Sequence, residues 1–82
     1  MIVDTIVDTI KEILTQIRPE FDFSKSDDFF ADGMLDSFDL VVLISELDSR
    51  FSLSIDGLDI VPENFQNIGA IKALLEKYGV KP

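Results

Sequence analysis

Three stretches of this chain repeat apolar residues at three- and four-residue steps, and nothing between them alternates as a strand would. That pattern limits the fold to packed helices more tightly than any other feature. In the first seventeen residues Val3, Ile6, Ile10, Ile13, Leu14 and Ile17 share one face, while Asp4, Asp8, Lys11, Glu12 and Gln16 lie elsewhere on the wheel. Pro19 stops this helix, because it lacks an N–H and disfavours helix at the residue before it. A second helix is expected over Ser37–Phe51, with Leu40, Leu43, Ile44, Leu47 and Phe51 on its core face. Asp36 stands at its N-cap with Asp39 three residues on, a variant of the capping box. A last helix, capped by Asn67, repeats Ile68, Ile71, Leu74, Leu75 and Tyr78 and is ended by Gly79.

The connections carry signals of their own. Residues 19–36 show no sustained period, and a gap beyond about 12–15 residues is uncommon without a function. Phe21, Phe23, Phe29 and Phe30 can anchor it, a single turn capped by Ser26 is expected near Asp27–Phe29, and Asp32-Gly33 supplies a turn. Ser52 to Val61 reads as a second loop turning at Gly57, and Pro62 opens a short helix through Phe65. The expected architecture is all-α: a small bundle of three main helices plus one short helix, with a long first loop, residues 1–82 forming one domain.

Composition narrows what such a bundle can do. With 82 residues, 46% of them apolar and seven phenylalanines, the chain can fill one small core. It has no cysteine, hence no disulfide, no thiolate nucleophile and no sulfur ligand for zinc. It has no histidine, hence no imidazole base for a catalytic triad. Sixteen acids against seven bases leave a net charge of −9, which repels nucleic acid and anionic lipid and attracts basic protein partners. A self-sufficient enzyme is not expected. The longest apolar run, Leu40–Ile44, falls far short of a membrane span. No basic segment precedes a long apolar one at the N-terminus, so a cytoplasmic location is expected, with a monomer as the default state.

Asp36-Ser37-Phe38 is where chemistry enters. A serine in the first turn of a helix lies beside unpaired backbone N–H groups at the positive end of the dipole. Without a base it is no nucleophile of its own, but the setting suits a serine that bears a phosphate ester. The outward face of the same helix carries Phe38, Asp39, Val42, Ser45, Glu46 and Ser49, with Val41 and Asp48 toward one border. Phe38 and Val42 together, among acids, resemble a docking surface.

Asp32-Gly33-Met34-Leu35-Asp36-Ser37-Phe38-Asp39 resembles the phosphopantetheine attachment motif of acyl and peptidyl carrier proteins, and the order of helices and loops matches that family over nearly the whole chain. The resemblance implies that a phosphopantetheinyl transferase, using coenzyme A and magnesium, places 4′-phosphopantetheine on Ser37, with Asp36 as the motif's capping acid. It implies a thiol-tipped arm holding an acyl or aminoacyl group as a thioester, loaded by a ligase and used by a downstream synthase or transferase. The carrier itself performs no chemistry. Transferring the family's recognition helix position by position gives Phe38, Asp39, Val41, Val42, Glu46 and Asp48 as partner-binding residues. Val42 stands where many fatty-acid carriers have glutamate. Phenylalanine directly after the serine is similar to D-alanyl carrier proteins of teichoic acid modification, although their tryptophan-containing segment is absent. Pro62-Glu63-Asn64-Phe65 is closer to amino-acid and polyketide carriers, so aminoacyl or specialised acyl cargo is favoured over housekeeping fatty-acid synthesis.

Two other readings compete. An acidic helical interaction module without a prosthetic group accounts for the charge and the outward apolar residues but gives Ser37 no task. Asp28, Asp32, Gly33 and Asp39 fall at first, fifth, sixth and twelfth positions of an EF-hand-like loop, yet Phe30 occupies the third and the bidentate glutamate is missing. A second near match, Ser52, Ser54, Asp56, Gly57 and Glu63, offers hydroxyls where carboxylates are wanted. No metal ligands are assigned.

Overall fold

The first helix of the computed structural model, α1 (Thr5–Ile17), turns Ile6, Ile10, Ile13 and Leu14 into the core and ends just ahead of Pro19. Residues 5–81 are described, so Val3 and Asp4, expected on the same helix, lie outside them. Helix α2 (Ser37–Phe51) and helix α3 (Ile68–Lys77) complete the bundle, and no strand occurs among the described residues. Helix α1 packs against both of the others, whereas α2 and α3 hardly touch. No helix among the described residues is long and apolar enough to cross a membrane.

That central placement of α1 explains a correction on α2. Leu43 and Leu47 are fully buried, but Leu40, Ile44 and Phe51, expected in the core with them, are only half-buried at its margin. With α1 as its one close helical neighbour, α2 can cover only a narrow stripe. Leu74, Leu75 and Ile71 close the core from α3, and Phe65 seals it just ahead of that helix.

The long first loop is stitched down by its aromatics. Phe23 and Phe29 are buried with rings edge to face, centroids 5.0 Å apart, and Leu35 is buried beyond them. The Phe29 N–H donates to the Gln66 carbonyl at 2.7 Å, and its own carbonyl accepts from Met34 and Leu35. The short helical turn lies earlier than expected. It is a 3₁₀ turn at Phe23–Lys25 capped by Asp22, whose carboxylate accepts from the Ser24 N–H; Ser26 closes it, and its hydroxyl accepts from the Asp28 N–H at 3.2 Å. A second turn is headed by Asp28, which accepts from the Phe30 and Ala31 N–H groups. Carboxylates thus head both turns, with the Ser26 hydroxyl bonding the Asp28 N–H between them. Gly33 turns the chain toward α2 at φ +71°.

The second loop also differs in detail. Helix α2 is ended by Ser52 in the left-handed region at φ 53°, with the Leu53 N–H returning to the Asp48 carbonyl. Gly57 opens a 3₁₀ turn, Gly57–Asp59, and the expected short helix at Pro62 is a 3₁₀ turn that stops at Asn64. Tyr78, read from the sequence as part of the apolar repeat, keeps its ring half-buried and uses its hydroxyl to hold this loop. It donates to Asp59 at 2.6 Å and accepts from the Asp56 N–H at 2.7 Å.

Candidate functional site

Helix α2 begins where it does because two carboxylates satisfy each other's backbone. The Asp39 N–H donates to Asp36 Oδ1 at 2.9 Å, and the Asp36 N–H donates to Asp39 Oδ2 at 3.1 Å. This is a complete capping box built from two aspartates. Buried Leu35 fixes the chain on the core side, and the next residues, Asp36 and Ser37, emerge into solvent. Ser37 is therefore the first helical residue of a 15-residue helix, exposed, with its hydroxyl in no hydrogen bond among the described residues. An anion attached there meets the positive end of the helix dipole, so the site is suited to a phosphate ester and open to an approaching protein.

The electrostatics of this corner depend on a residue that no motif or periodicity singles out. Arg18, just past α1, donates from Nε to Asp39 Oδ2 at 2.9 Å and from Nη2 to Asp36 Oδ2 at 3.3 Å, with Glu20 at 3.5 Å from Nη1. Its guanidinium is held further above its usual range, chiefly by the hydrogen bond and charge of Asp39. The Asp36 carboxyl lies below the usual carboxylate range, mainly because the Asp39 N–H bonds to its ionised form, with Arg18 adding to the effect.

A prediction follows for Asp36→Ala. A carboxyl whose pKa is lower folded than unfolded stabilises the fold above its unfolded value, and that contribution disappears as pH falls through the folded one. Asp36→Ala is expected to lower the thermal midpoint at neutral pH. The gap from the wild type should close below about pH 4. Protonating other acids on a chain of net charge −9 relieves repulsion and acts in the opposite sense, so the difference between the two proteins is the informative readout.

The six residues assigned to partner binding separate into two groups. Phe38, Val41 and Val42 stand on the outward face, Phe38 81% and Val41 66% exposed, and Glu46 lies 3.9 Å from Arg50 with its carboxylate accessible. Asp39 and Asp48 are engaged within the chain. The Asp39 side chain is 13% exposed between Arg18 and the helix cap, and Asp48 accepts the Ile55 N–H at 3.1 Å to hold the second loop. Arg50 bonds Glu12 at 3.0 Å and ties α2 to α1. The second loop adds apolar surface that sequence reasoning missed, Leu58 being 89% exposed; a stretch without periodicity gave no signal for it.

Among the described residues no group of three or more acids is arranged to hold a metal. Three carboxylates of the EF-hand-like readings are engaged within the chain: Asp28 caps a turn, Asp32 accepts from the buried Ser26 hydroxyl at 2.5 Å, and Asp56 caps the Gly57–Asp59 turn.

The family model described as phosphopantetheine attachment site matches residues 4–75, nearly the whole chain. No curated protein and no solved structure matches it.

Proposed function

The chain belongs to the phosphopantetheine attachment-site family of acyl-carrier-like domains, and we propose that Ser37 is the residue through which it carries its 4′-phosphopantetheine. Members of this family are carriers and not catalysts. The observation that carries the assignment to Ser37 is its exposed hydroxyl, in no hydrogen bond among the described residues, at the start of α2 directly after a capping aspartate. The residues present fit the group: an anion is favoured at that terminus, and the carboxylates of Asp36 and Asp39, which bracket Ser37 in the sequence, are already engaged by Arg18 and by backbone N–H groups.

Ser37 supplies only the oxygen. Its Oγ forms a bond to phosphorus of coenzyme A as the phosphoanhydride breaks and adenosine 3′,5′-bisphosphate leaves. The hydroxyl proton passes to a base of the transferase, since this chain holds no histidine to take it. When bound, the group supplies a terminal thiol that holds acyl or aminoacyl cargo as a thioester, chemistry a cysteine-free chain cannot offer itself. Phe38, Val41 and Val42 form the apolar centre of the surface that meets the transferase, the loading ligase and the downstream synthase, with Glu46 at its rim. Asp39 and Asp48 serve the same surface indirectly, by holding the helix and the loop that build it. In this reading residues 1–82 act as one monomeric carrier domain in the cytoplasm, where coenzyme A and the partner enzymes are met. Specialised acyl or aminoacyl cargo is favoured, since Val42 leaves the recognition helix short of one acid.

The test is intact mass after incubation with a promiscuous transferase, magnesium and coenzyme A. One phosphopantetheine addition is expected; an unmodified chain under conditions that label a control carrier overturns the assignment. A further prediction concerns the docking face. Phe38→Ala should leave the unfolding free energy within about 0.5 kcal/mol of the wild type, as for other exposed positions, while reducing kcat/KM with the transferase. Unfolding of Phe38→Ala would show that the ring belongs to the core.

A further inference from the structure

Arg18 is one of only seven cations in the chain, and it is spent on the corner where Ser37 emerges. The capping box closes on its own through two backbone hydrogen bonds, so Arg18 is not needed to satisfy the helix end. What it adds is a bridge. Its Nε and Nη2 donors grip the carboxylates of residues 36 and 39, which bracket Ser37 in the sequence, and the residue itself is the first after α1. The contacts span 21 and 18 residues of chain, closing the long first loop at its two ends. Helix α2's first turn is thereby fixed relative to α1. A second effect is electrostatic. Glu20, Asp36 and Asp39 gather three negative charges around this corner, and Arg18 contacts each of them. Without it, a further anion arriving beside Ser37 meets uncompensated carboxylates.

We propose that Arg18 is a positioning residue for the modification of Ser37, holding the helix start that presents the hydroxyl and offsetting the acids that would repel the incoming phosphate. The inference rests on the assignment of Ser37 as the attachment residue. The step it assists is the transfer already described: Oγ–phosphorus bond formed, phosphoanhydride of coenzyme A broken, proton taken by the transferase. Because Arg18 acts on the hydroxyl's placement and its field, and is not part of the exposed apolar face, its loss should appear in kcat and much less in KM. A lysine keeps the charge but not the two-directional fork, so it should recover only part of the rate.

The experiment follows loading of the wild type, Arg18→Gln, Arg18→Lys and Lys77→Gln by intact mass, well below each protein's unfolding midpoint, with kcat and KM resolved. Lys77→Gln breaks a different ion pair, to Asp59, that touches neither Asp36 nor Asp39. The expected result is a kcat reduced about tenfold or more in Arg18→Gln, as for a displaced reacting group. Arg18→Lys should fall between that and the wild type, and Lys77→Gln should load normally. Equal kcat in folded Arg18→Gln, a loss confined to KM, or an equal loss in Lys77→Gln would each overturn the proposal. If Arg18→Gln fails to fold, Arg18→Lys alone decides: wild-type kcat overturns the proposal and a reduced kcat supports it. A wild type that takes up no phosphopantetheine while a control carrier does removes the Ser37 assignment first, and this proposal with it.

Discussion

Ser37→Ala is expected to abolish phosphopantetheine addition entirely while leaving the fold intact. The loss is complete because the side chain contributes the one atom that joins group to protein. The fold survives because that side chain is exposed and its hydroxyl bonds to nothing among the described residues. Alanine is also a better helix former than serine, and the helix start is held by Asp36 and Asp39. The unfolding free energy should therefore stay within about 0.5 kcal/mol of the wild type. Mass spectrometry and circular dichroism on the same sample check both halves.

Phe29→Ala should have the opposite profile: a large loss of stability from a residue outside every helix. The ring is fully buried, it packs edge to face on Phe23, and the backbone at this position joins the first loop to Gln66. Removing a buried phenylalanine side chain costs about 3–5 kcal/mol. Domains of this size have about 5–15 kcal/mol in total, so the variant is expected to unfold at much lower urea concentration or to be unfolded at the outset. Phe21→Ala removes the same atoms from a half-buried ring and should cost distinctly less. Equal midpoints for the wild type and Phe29→Ala would show that the loop does not contribute to the core.

The helices were legible because their ends are written locally. Asp36 with Asp39, Asn67 and Gly79 are cap residues whose partners lie within three or four positions, and the observed start of α2 and both ends of α3 fall where these residues put them. The outward placement of Phe38 and Val42 followed from the same arithmetic, since Leu43 and Leu47 set the inward direction. What could not be read is whatever depends on partners far along the chain. Arg18 meets Asp36 and Asp39 across the whole first loop, and the Tyr78 hydroxyl meets Asp59 across nineteen positions. No periodicity or spacing encodes such contacts. The half-burial of Leu40, Ile44 and Phe51 is of the same kind, for it depends on how few neighbours α2 has. Asp48 looked like a surface charge because a wheel shows which way a side chain points and not which backbone N–H it will find.

Peptide-level mass spectrometry of the transferase-treated protein tests the attachment residue most directly. The expected result is a single phosphopantetheine whose fragment ions place it on Ser37, with the peptides bearing Ser45, Ser49, Ser52 and Ser54 unchanged. A group found on any of those serines, or on a threonine, with Ser37 bare would contradict the reading.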